Sequence, residues 1–275
     1  MTFSSKNKTA ITILCLTFSV VIYLFYESNE GQIDADVVEI VSEKEIKNDI
    51  VFNLPNTTSN QIIESPFYTF SYNEEAEQPD WIAYTLYPLA DSLRVKRKDN
   101  FRADPRVVSG SASLKDYKSS GYDRGHLAPS KALSYSKEAM NASFYMSNMS
   151  PQLPSFNRGI WKKIEAKVLD WSKQSDSLYV VTGPVLDNPL DTIGGNKVIV
   201  PRAYYKTIIR FYKKSLTGIA FLINNEKSSK KVIDFTTSID SVERITNLNF
   251  YYQLDSLRQH KVESNNILEN FLATH

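Results

Sequence analysis

The sequence predicts an α+β domain in which helices flank a central sheet that is mixed or mainly antiparallel. Three observations predict it: strands come first, one amphipathic helix interrupts them, and paired strands are followed by closing helices. With 42% hydrophobic and 23% charged residues, the composition is that of a globular protein and excludes a disordered or collagen-like chain. A chain of 275 residues accommodates one domain of about 200 residues with flanking segments.

Each element follows from its local pattern. In the first half, Trp81–Tyr87 predicts a strand, residues 92–120 a polar surface loop and Ser134–Met140 a short helix. Apolar residues at helical spacing predict a longer helix from Gly159 to Lys173. The second half predicts further strands and two helices: strands Leu178–Val181 (ended by Thr182-Gly183-Pro184), Lys197–Val200, Tyr204–Tyr212 and Leu216–Ile223, with a hairpin turn at 213–217, and helices Ser238–Thr246 and Tyr251–Gln259.

The N-terminal segment contains an uncharged apolar run, Ala10–Tyr26, with lysines only before it and glutamates after it. Seventeen residues is short for a membrane span and long for the core of a signal peptide, and no small-residue cleavage site follows. We expect a single-pass anchor that places the domain outside the cytoplasm. A cleaved signal, giving a secreted or periplasmic protein, is the alternative, and a buried soluble helix is a third interpretation.

The predicted organisation is therefore an anchor or signal at 1–26, an acidic linker at 27–64, a main domain at 65–260 and a C-terminal tail at 261–275. The overall charge of +1 conceals a basic centre. Residues 80–225 carry 22 Lys/Arg against 12 Asp/Glu, a net charge of +10, whereas residues 1–79 carry 4 against 12, a net charge of −8. A basic centre suggests an anionic partner such as nucleic acid, although a solvated lysine-rich surface gives the same charge.

The segment Gly121–Ser130 (GYDRGHLAPS) is the most informative in the chain. It places Asp123, Arg124 and His126 within four residues. The only other histidines are His260 and His275 and the only cysteine is Cys15, which argues against a zinc site. A histidine beside an arginine suits a general base beside a phosphate clamp, whereas a structural hydrogen-bonded Asp-x-x-His pair is the simpler alternative.

Further blocks follow in order: residues 144–152 (FYMSNMSPQ), residues 156–165 (FNRGIWKKIE) and the segment from Thr182-Gly183-Pro184 to Lys206. Together with Asp123-Arg124-Gly125-His126 and the stretch 238–250, these blocks resemble the DNA/RNA non-specific endonucleases, a family with a ββα-metal core. The resemblance spans residues 65–257. It implies cleavage of DNA and RNA without strong sequence specificity, leaving 5′-phosphate ends.

The resemblance also implies a role for each site residue. His126 corresponds to the general base, and Asn157 to the protein ligand of Mg²⁺, with Mn²⁺ as the alternative. Glu165 would hold a water of the metal, and Asn148 would orient the base or the phosphate. Arg124 would contact the phosphate or stabilise the transition state, and substrate binding would also involve three further arginines, Arg97, Arg102 and Arg158.

Two departures from the family pattern concern cations. Some members carry an arginine four residues after the helix glutamate, where this chain has Leu169. For a second, upstream arginine, spacing does not choose among Arg97, Arg102 and Arg106. Asp123 is expected to brace the loop.

The predicted partners are DNA and RNA as substrates and a membrane through residues 10–26, while an inhibitor protein and the oligomeric state do not follow from the sequence. An alternative of another class is a non-catalytic, membrane-anchored module that binds nucleic acid or another polyanion through the same basic face. Within the enzymes, a phosphodiesterase for another phosphate ester is a further alternative.

Overall fold

The computed structural model describes residues 54–56 and 61–273, together with the dipeptides Ala10–Ile11 and Leu24–Phe25, which pair as short antiparallel strands. The rest of the predicted anchor lies outside the described residues. In the described part of the chain, no helix is long and apolar enough to cross a lipid bilayer. Contacts divide the chain into two compact units, residues 1–49 and 50–275, and the elements below belong to the second.

Most strands of this unit join one sheet. The described strands are β1 Gln61–Glu64, β2 Thr69–Asn73, β3 Gln78–Leu86, β4 Asp123–His126, β5 Met149–Gln152, β6 Ser177–Val185, β7 Asp191–Ile193, β8 Val198–Val200, β9 Ala203–Tyr212, β10 Ser215–Asn224 and β11 Thr236–Thr237. Seven of them form a sheet in the order β11-β10-β9-β6-β3-β2-β1, in which all neighbours are antiparallel. This confirms the predicted fold class.

Helices cover the sheet and connect its strands. The described α-helices are α1 Leu114–Tyr117, α2 Lys137–Ala142, α3 Pro154–Phe156, α4 Lys162–Ser172, α5 Ile239–Thr246, α6 Ser256–Glu263 and α7 Leu268–Leu272. Three 3₁₀ turns lie at Asp91–Leu93, Met146–Asn148 and Val232–Phe235, and a π-helical turn, Asn157–Trp161, joins α3 to α4. The predicted helix from 159 to 173 thus begins with a turn in which Gly159 departs from helical geometry (φ −100°, ψ −111°).

Both faces of the central strands are covered, which explains why every residue of β6 is buried. On one face, Val180 and Ile208 pack in a core with Ile164 and Val168 of α4. On the other face, Tyr251 contacts the ring of Tyr179 at 6.1 Å. The helix α4 therefore lies against the middle of the sheet, where its apolar stripe is buried.

Several predicted element boundaries are displaced. The strand predicted at 81–87 begins at Gln78, and the helix predicted at 134–140 runs from Lys137 to Ala142. Strand β6 does not end at Thr182-Gly183-Pro184 but continues to Val185 beside β9. Its pairing with β3 stops at Thr182, so Pro184 lies along an edge where a missing amide hydrogen breaks no ladder bond. The last predicted helix also moves, from 251–259 to Ser256–Glu263, because Asp255 caps its start by accepting a hydrogen bond from the Arg258 amide at 3.0 Å.

The domain limits of 65 and 260 stay a prediction from the sequence, and the structure describes the packing of residues on both sides of them. Strand β1 pairs with β2 through residues 61–64, inside the segment assigned to the linker. Helix α7 lies in the segment assigned to the tail, and its Phe271 is fully buried against Trp171, with ring centroids 5.2 Å apart. Both ends of the domain therefore contain isolated apolar residues whose burial is decided by distant partners rather than by local pattern.

Candidate active site

The candidate active site is a ββα unit on one face of the large sheet. Strand β4, which carries the Asp-Arg-Gly-His segment, pairs antiparallel with β5, so that His126 lies opposite Met149 and Asp123 opposite Gln152. The chain then turns through α3 and the π-helical turn into α4. This arrangement brings together three segments that are separated in sequence: the one with His126, the one with Asn157 and the one with Glu165.

Gly125 is required by the close pairing of β4 and β5. A Cβ atom at this position would lie 2.1 Å from Cδ of Gln152, whose side chain is fully buried. We therefore expect Gly125→Ala to lower the free energy of unfolding by ~1–3 kcal/mol, because the buried glutamine must be displaced. Urea denaturation measures the change. Gly195→Ala, where a Cβ meets nothing within 4 Å, is the matched control, and equal stability of the two variants would contradict the packing argument.

A cavity of about 520 Å³ opens beside this unit. Six of its lining residues are cationic and one, Glu165, is acidic; the cations are Arg97, Arg124, Lys131, Arg158, Lys162 and Lys206. A second hollow, of about 420 Å³, shares Arg97, Arg124, Asn157 and Arg158 with the first. The two hollows therefore form one cleft, and its excess of positive charge favours an anionic ligand.

His126 lines the cavity from β4. Its ring lies edge-on to Phe144 at 5.1 Å and is tilted against Phe101 at 5.7 Å. Nε2 is enclosed and has no hydrogen-bond partner in the described part of the chain. Burial, assisted by the charges of Arg97 and Arg124, lowers the pKa of His126 to about 3. The imidazole is therefore neutral near pH 7 and able to accept a proton.

Two arginines flank His126, each over an aromatic ring. The Arg97 guanidinium lies 4.9 Å from the ring centre of Phe144 and donates to Ser130 Oγ at 2.7 Å. The Arg124 guanidinium lies 4.2 Å from the ring centre of Phe101. Arg97 also forms an ion pair with Asp99 at 2.8 Å, which partly compensates its charge. The Arg124 guanidinium makes no ion pair among the described residues, so the cation–π contact with Phe101 holds it at the cavity and leaves its N–H groups available to an anion.

Asp123 organises the start of the helical segment. Its carboxylate accepts a hydrogen bond from Asn157 Nδ2 at 2.9 Å and two from Arg158, at 2.8 and 2.6 Å. Partial burial alone would raise the pKa of Asp123, but the hydrogen bonds from Arg158 and Asn157 outweigh it and hold the pKa below its usual range. Asp123 therefore links β4 to the π-helical turn and fixes the amide nitrogen of Asn157.

Glu165 reaches the cavity from α4, two turns after Asn157. Burial raises the pKa of this carboxyl group, and the positive charges of Lys206, Arg97 and Lys162 oppose that rise. Leu169, where some family members carry arginine, is buried in the apolar wall of the same cavity. In this chain, two of the cations that act on Glu165, Lys206 and Arg97, come from other elements, and the third, Lys162, lies at the start of α4 itself.

Two residues predicted for the site lie away from the cleft. Asn148 is fully buried. Its Oδ1 accepts a hydrogen bond from the Ala128 amide, and its Nδ2 donates to the carbonyl oxygens of Ala128 and, at 2.8 Å, of Ser143. It thus holds the chain that follows His126 and is not directed at base or phosphate. Arg102 donates to backbone carbonyls, including that of Asn141 at 3.0 Å, so its binding of substrate is not supported.

Of the three upstream arginines, only Arg97 lines the cleft. Arg106 forms an ion pair with Asp104 at 2.7 Å and donates to the Tyr68 hydroxyl. Arg158 does line the cleft, but its ion pair with Asp123 partly compensates its charge. The structure therefore distinguishes residues that sequence spacing treated alike.

The donor groups suit a hard divalent cation. The Asn157 amide nitrogen is bound to Asp123, and in the described part of the chain its Oδ1 accepts no hydrogen bond. Glu165 adds a carboxylate in the same cavity. The one group of three potential acidic or histidine ligands found among the described residues lies elsewhere, at Asp240, Glu243 and Glu263. Oxygen donors in small number fit Mg²⁺, which keeps several of its waters.

Comparison with known proteins agrees with this geometry. The sequence model of the DNA/RNA non-specific endonuclease family matches residues 49–257. The chain belongs to this family. Nuclease C1 of Cunninghamella echinulata var. echinulata is 32% identical over 221 residues, which are 72% of this chain and 85% of that protein.

A second relative and a solved structure are also similar to this endonuclease-family chain. The mitochondrial nuclease of Saccharomyces cerevisiae is 32% identical over 201 residues, 64% of this chain, and the chain spans 61% of that protein. A chain in the crystal structure of an EndoG/EndoGI complex, which concerns EndoG inhibition, superposes with a TM-score of 0.71 at 28% identity. The superposition covers 80% of this chain and 96% of that one. This family comprises metal-dependent nucleases, which agrees with the donor set around Asn157.

Two kinds of residue at this endonuclease-family site were given no role from the sequence. Phe101 and Phe144 both contact the ring of His126. Phe101 has no distinguishing sequence context, and Phe144 opens the block 144–152 without a sign that it meets the histidine. Lys206 had a usable signal, because it is a charged residue at the centre of the apolar strand Ala203–Tyr212. A lysine at such a position is rarely buried without a partner, which marks it for attention.

Proposed function

We propose that the chain is a Mg²⁺-dependent endonuclease that hydrolyses phosphodiester bonds of DNA and RNA without strong sequence specificity. One observation carries the proposal: a neutral histidine, His126, shares a strongly cationic cavity with a free amide oxygen on Asn157 and a carboxylate on Glu165. These are the groups needed to bind a phosphate, activate water and hold a metal.

Substrate binding begins with the cationic cleft. Arg97 and Arg124 present guanidinium groups on either side of His126, and bidentate hydrogen bonds to phosphate oxygens suit their planar geometry. Such contacts position the backbone and carry no information about the base. We therefore propose low sequence specificity, because the cationic side chains that line the cleft are suited to binding phosphate groups and not bases.

His126 is the proposed general base. Nε2 is enclosed, so Nδ1 is the ring atom assigned to take the proton of the attacking water. In the free protein, Arg97 and Arg124 help to keep the imidazole neutral. A bound phosphodiester carries one negative charge and would offset part of the positive charge of these two guanidinium groups, which raises the proton affinity of His126 when a base is required.

Asn157 and Glu165 are the proposed groups on the metal side of the cavity. The Asp123 carboxylate fixes the Asn157 amide so that its oxygen is left for the ion. Glu165 contributes negative charge from α4 and would orient water near the ion. When bound, Mg²⁺ supplies positive charge that neutralises the phosphate and stabilises the departing 3′ oxygen.

Circular substrates test the proposal. We expect the full chain with Mg²⁺ to cleave a closed circular single-stranded DNA, a supercoiled plasmid and a circular RNA, none of which offers an end to an exonuclease. EDTA should abolish all three reactions. Retained binding of all three nucleic acids without cleavage would instead favour the non-catalytic polyanion-binding module, and cleavage of RNA alone would contradict the lack of sugar specificity.

The membrane anchor stays a prediction from the sequence alone, supported by the uncharged run Ala10–Tyr26 and the lysines before it. We expect the full chain to remain in the membrane fraction after washing with alkaline carbonate. Mass spectrometry of the N-terminus checks the alternative, since a mature chain that begins between residues 27 and 40 would indicate a cleaved signal.

A further inference from the structure

A third hollow, of about 360 Å³, adjoins the active-site cleft. It shares Leu114, Asp123 and Arg124 with the hollow of about 420 Å³ that forms part of the cleft. The rest of its wall comes from the end of α1 and from the turn before β4, at Tyr117, Lys118 and Tyr122. The cleft is thus continuous with this α1 hollow through the three shared residues.

The uncompensated charge of the α1 hollow is positive. Lys118 and Arg124 are exposed, and neither forms an ion pair among the described residues. Asp123, the one acidic residue of the wall, is ion-paired with Arg158. Two cations without an acidic partner therefore line this space, and a phosphate group suits them.

The α1 hollow also has an apolar side. Tyr122 packs against the small core that contains Tyr117 and Met149, but it is only partly buried, so that part of its surface remains accessible. Leu114 is 42% exposed although its side chain is large and apolar. An accessible aromatic ring offers a stacking surface to any unpaired base, because every base has a π-face.

Hydrogen bonds fix the segment that forms this wall. The Asp116 carboxylate accepts two from Asn196, from the backbone amide at 3.1 Å and from Nδ2 at 3.0 Å, and these tie α1 to the turn between β7 and β8. Ser120 Oγ donates to the Tyr117 carbonyl at 2.9 Å and accepts from the Tyr122 amide at 3.2 Å. The hollow is therefore preformed, which lowers the entropic cost of filling it.

We propose that the α1 hollow is a subsite for a neighbouring nucleotide of a single-stranded substrate, in which Lys118 binds the phosphate and Tyr122 stacks on the unpaired base. The inference rests on the proposed function, in which Arg124 contacts the scissile phosphate. Because Arg124 lines both the His126 cavity and the α1 hollow, a strand held at one extends into the other. Neither contact carries sequence information, which agrees with the proposed low specificity.

The salt dependence of binding tests the role of Lys118. Each neutralised phosphate of a single strand adds ~0.7 to the slope of the logarithm of affinity against the logarithm of salt concentration. We expect Lys118→Met to lower this slope by about 0.7. The measurement is the fluorescence anisotropy of a short labelled DNA strand, with the full chain in EDTA so that the strand stays intact. Lys115→Met is the matched control, because Lys115 is an exposed lysine of α1 that does not line the hollow. An unchanged slope in Lys118→Met, or an equal decrease in both variants, would overturn the proposal.

A strand without bases tests the role of Tyr122. Tyr122→Leu keeps an apolar side chain and removes the ring, so we expect binding of the normal strand to weaken at least ~5-fold, which corresponds to ~1 kcal/mol of stacking. Binding of an abasic strand with the same backbone should not change, whereas Lys118→Met should weaken the binding of both strands. An equal loss on the normal and the abasic strand in Tyr122→Leu would overturn the stacking role.

Two further variants separate stacking from folding. Tyr122→Phe keeps the ring and should bind both strands like the parent chain. Tyr252→Leu changes a tyrosine that is 48% exposed outside the hollow, and it should also match the parent. Weak binding of the normal strand by Tyr122→Phe would contradict the proposal.

These binding measurements require no cleavage, so they distinguish the subsite from the proposed function. A parent chain that cleaves nucleic acid while Lys118→Met and Tyr122→Leu bind both strands as it does would overturn the subsite alone. An inactive parent chain whose variants show the expected losses would contradict the proposed function and still support a strand-binding α1 hollow.

Discussion

Replacing His126 by alanine should lower the rate of nucleic-acid cleavage by ~10²–10⁴-fold, the usual contribution of a positioned general base. The structure gives the reason: His126 is the histidine that lines the cationic cavity, and its environment holds it neutral and ready to accept a proton. Single-turnover cleavage of plasmid at saturating Mg²⁺ measures the effect. Binding of DNA should change little, because Arg97 and Arg124 remain.

His260→Ala is the matched control, since His260 lies on α6 outside the cleft, and it should cleave at the parent rate.

The pH dependence of stability offers a second test of His126. The pKa of His126 falls from 6.5 to about 3 on folding, so below pH 6.5 the unfolded chain binds the extra proton and the folded chain does not. The free energy of unfolding should therefore decrease as the pH falls from 6.5 to 3, and His126→Ala should lessen that decrease. Parent-like cleavage by this variant would remove His126 from the mechanism.

Replacing Asn157 by alanine should weaken metal binding and activity together. Its amide oxygen is the proposed metal ligand in the cavity, because the amide nitrogen is bound to Asp123. Even changes to groups that only support metal ligands reduce the affinity for the metal ~10–100-fold. We expect at least a comparable rise in the Mg²⁺ concentration that gives half-maximal cleavage. Calorimetric titration of Mg²⁺ into the free protein should show the same loss of affinity in the absence of substrate.

The control for Asn157 is Asn266→Ala, an exposed asparagine near the C-terminus, which should match the parent in both titrations. Helical structure and thermal stability should also be close to the parent in Asn157→Ala, because the ion pair between Asp123 and Arg158 persists. An unchanged half-saturating Mg²⁺ concentration in this folded variant would show that the metal assignment is wrong.

Elements were predictable from the sequence where their local pattern determines the structure. The strands predicted at Tyr204–Tyr212 and Leu216–Ile223 were found, because residues 213 and 214 form a two-residue turn between two long apolar runs. Helix α4 was predictable from its apolar spacing. The short strands β4 and β5 were not predicted from pattern, since Asp123–His126 is polar and gains its pairing from β5 rather than from strand propensity.

The same limit applies to the site. The motif blocks led to His126, Asn157 and Glu165, which the fold brings to one cavity. Spacing alone did not separate Arg97 from Arg102, because each role depends on which distant side chain or carbonyl the guanidinium meets. Burial likewise decided the role of Asn148, whose amide is fully used by the backbone.

The central claim is that the cavity around His126 and Asn157 cleaves phosphodiester bonds with the aid of a divalent metal. The most direct measurement is the initial rate at which the purified full chain converts supercoiled plasmid to nicked and linear forms, with Mg²⁺ and with EDTA, beside His126→Ala in the same buffer. We expect rapid conversion by the parent chain with Mg²⁺, no conversion with EDTA, and a rate at least ~100-fold lower in the variant. Conversion that persists in EDTA, or that is equal in parent and variant, would contradict the central claim.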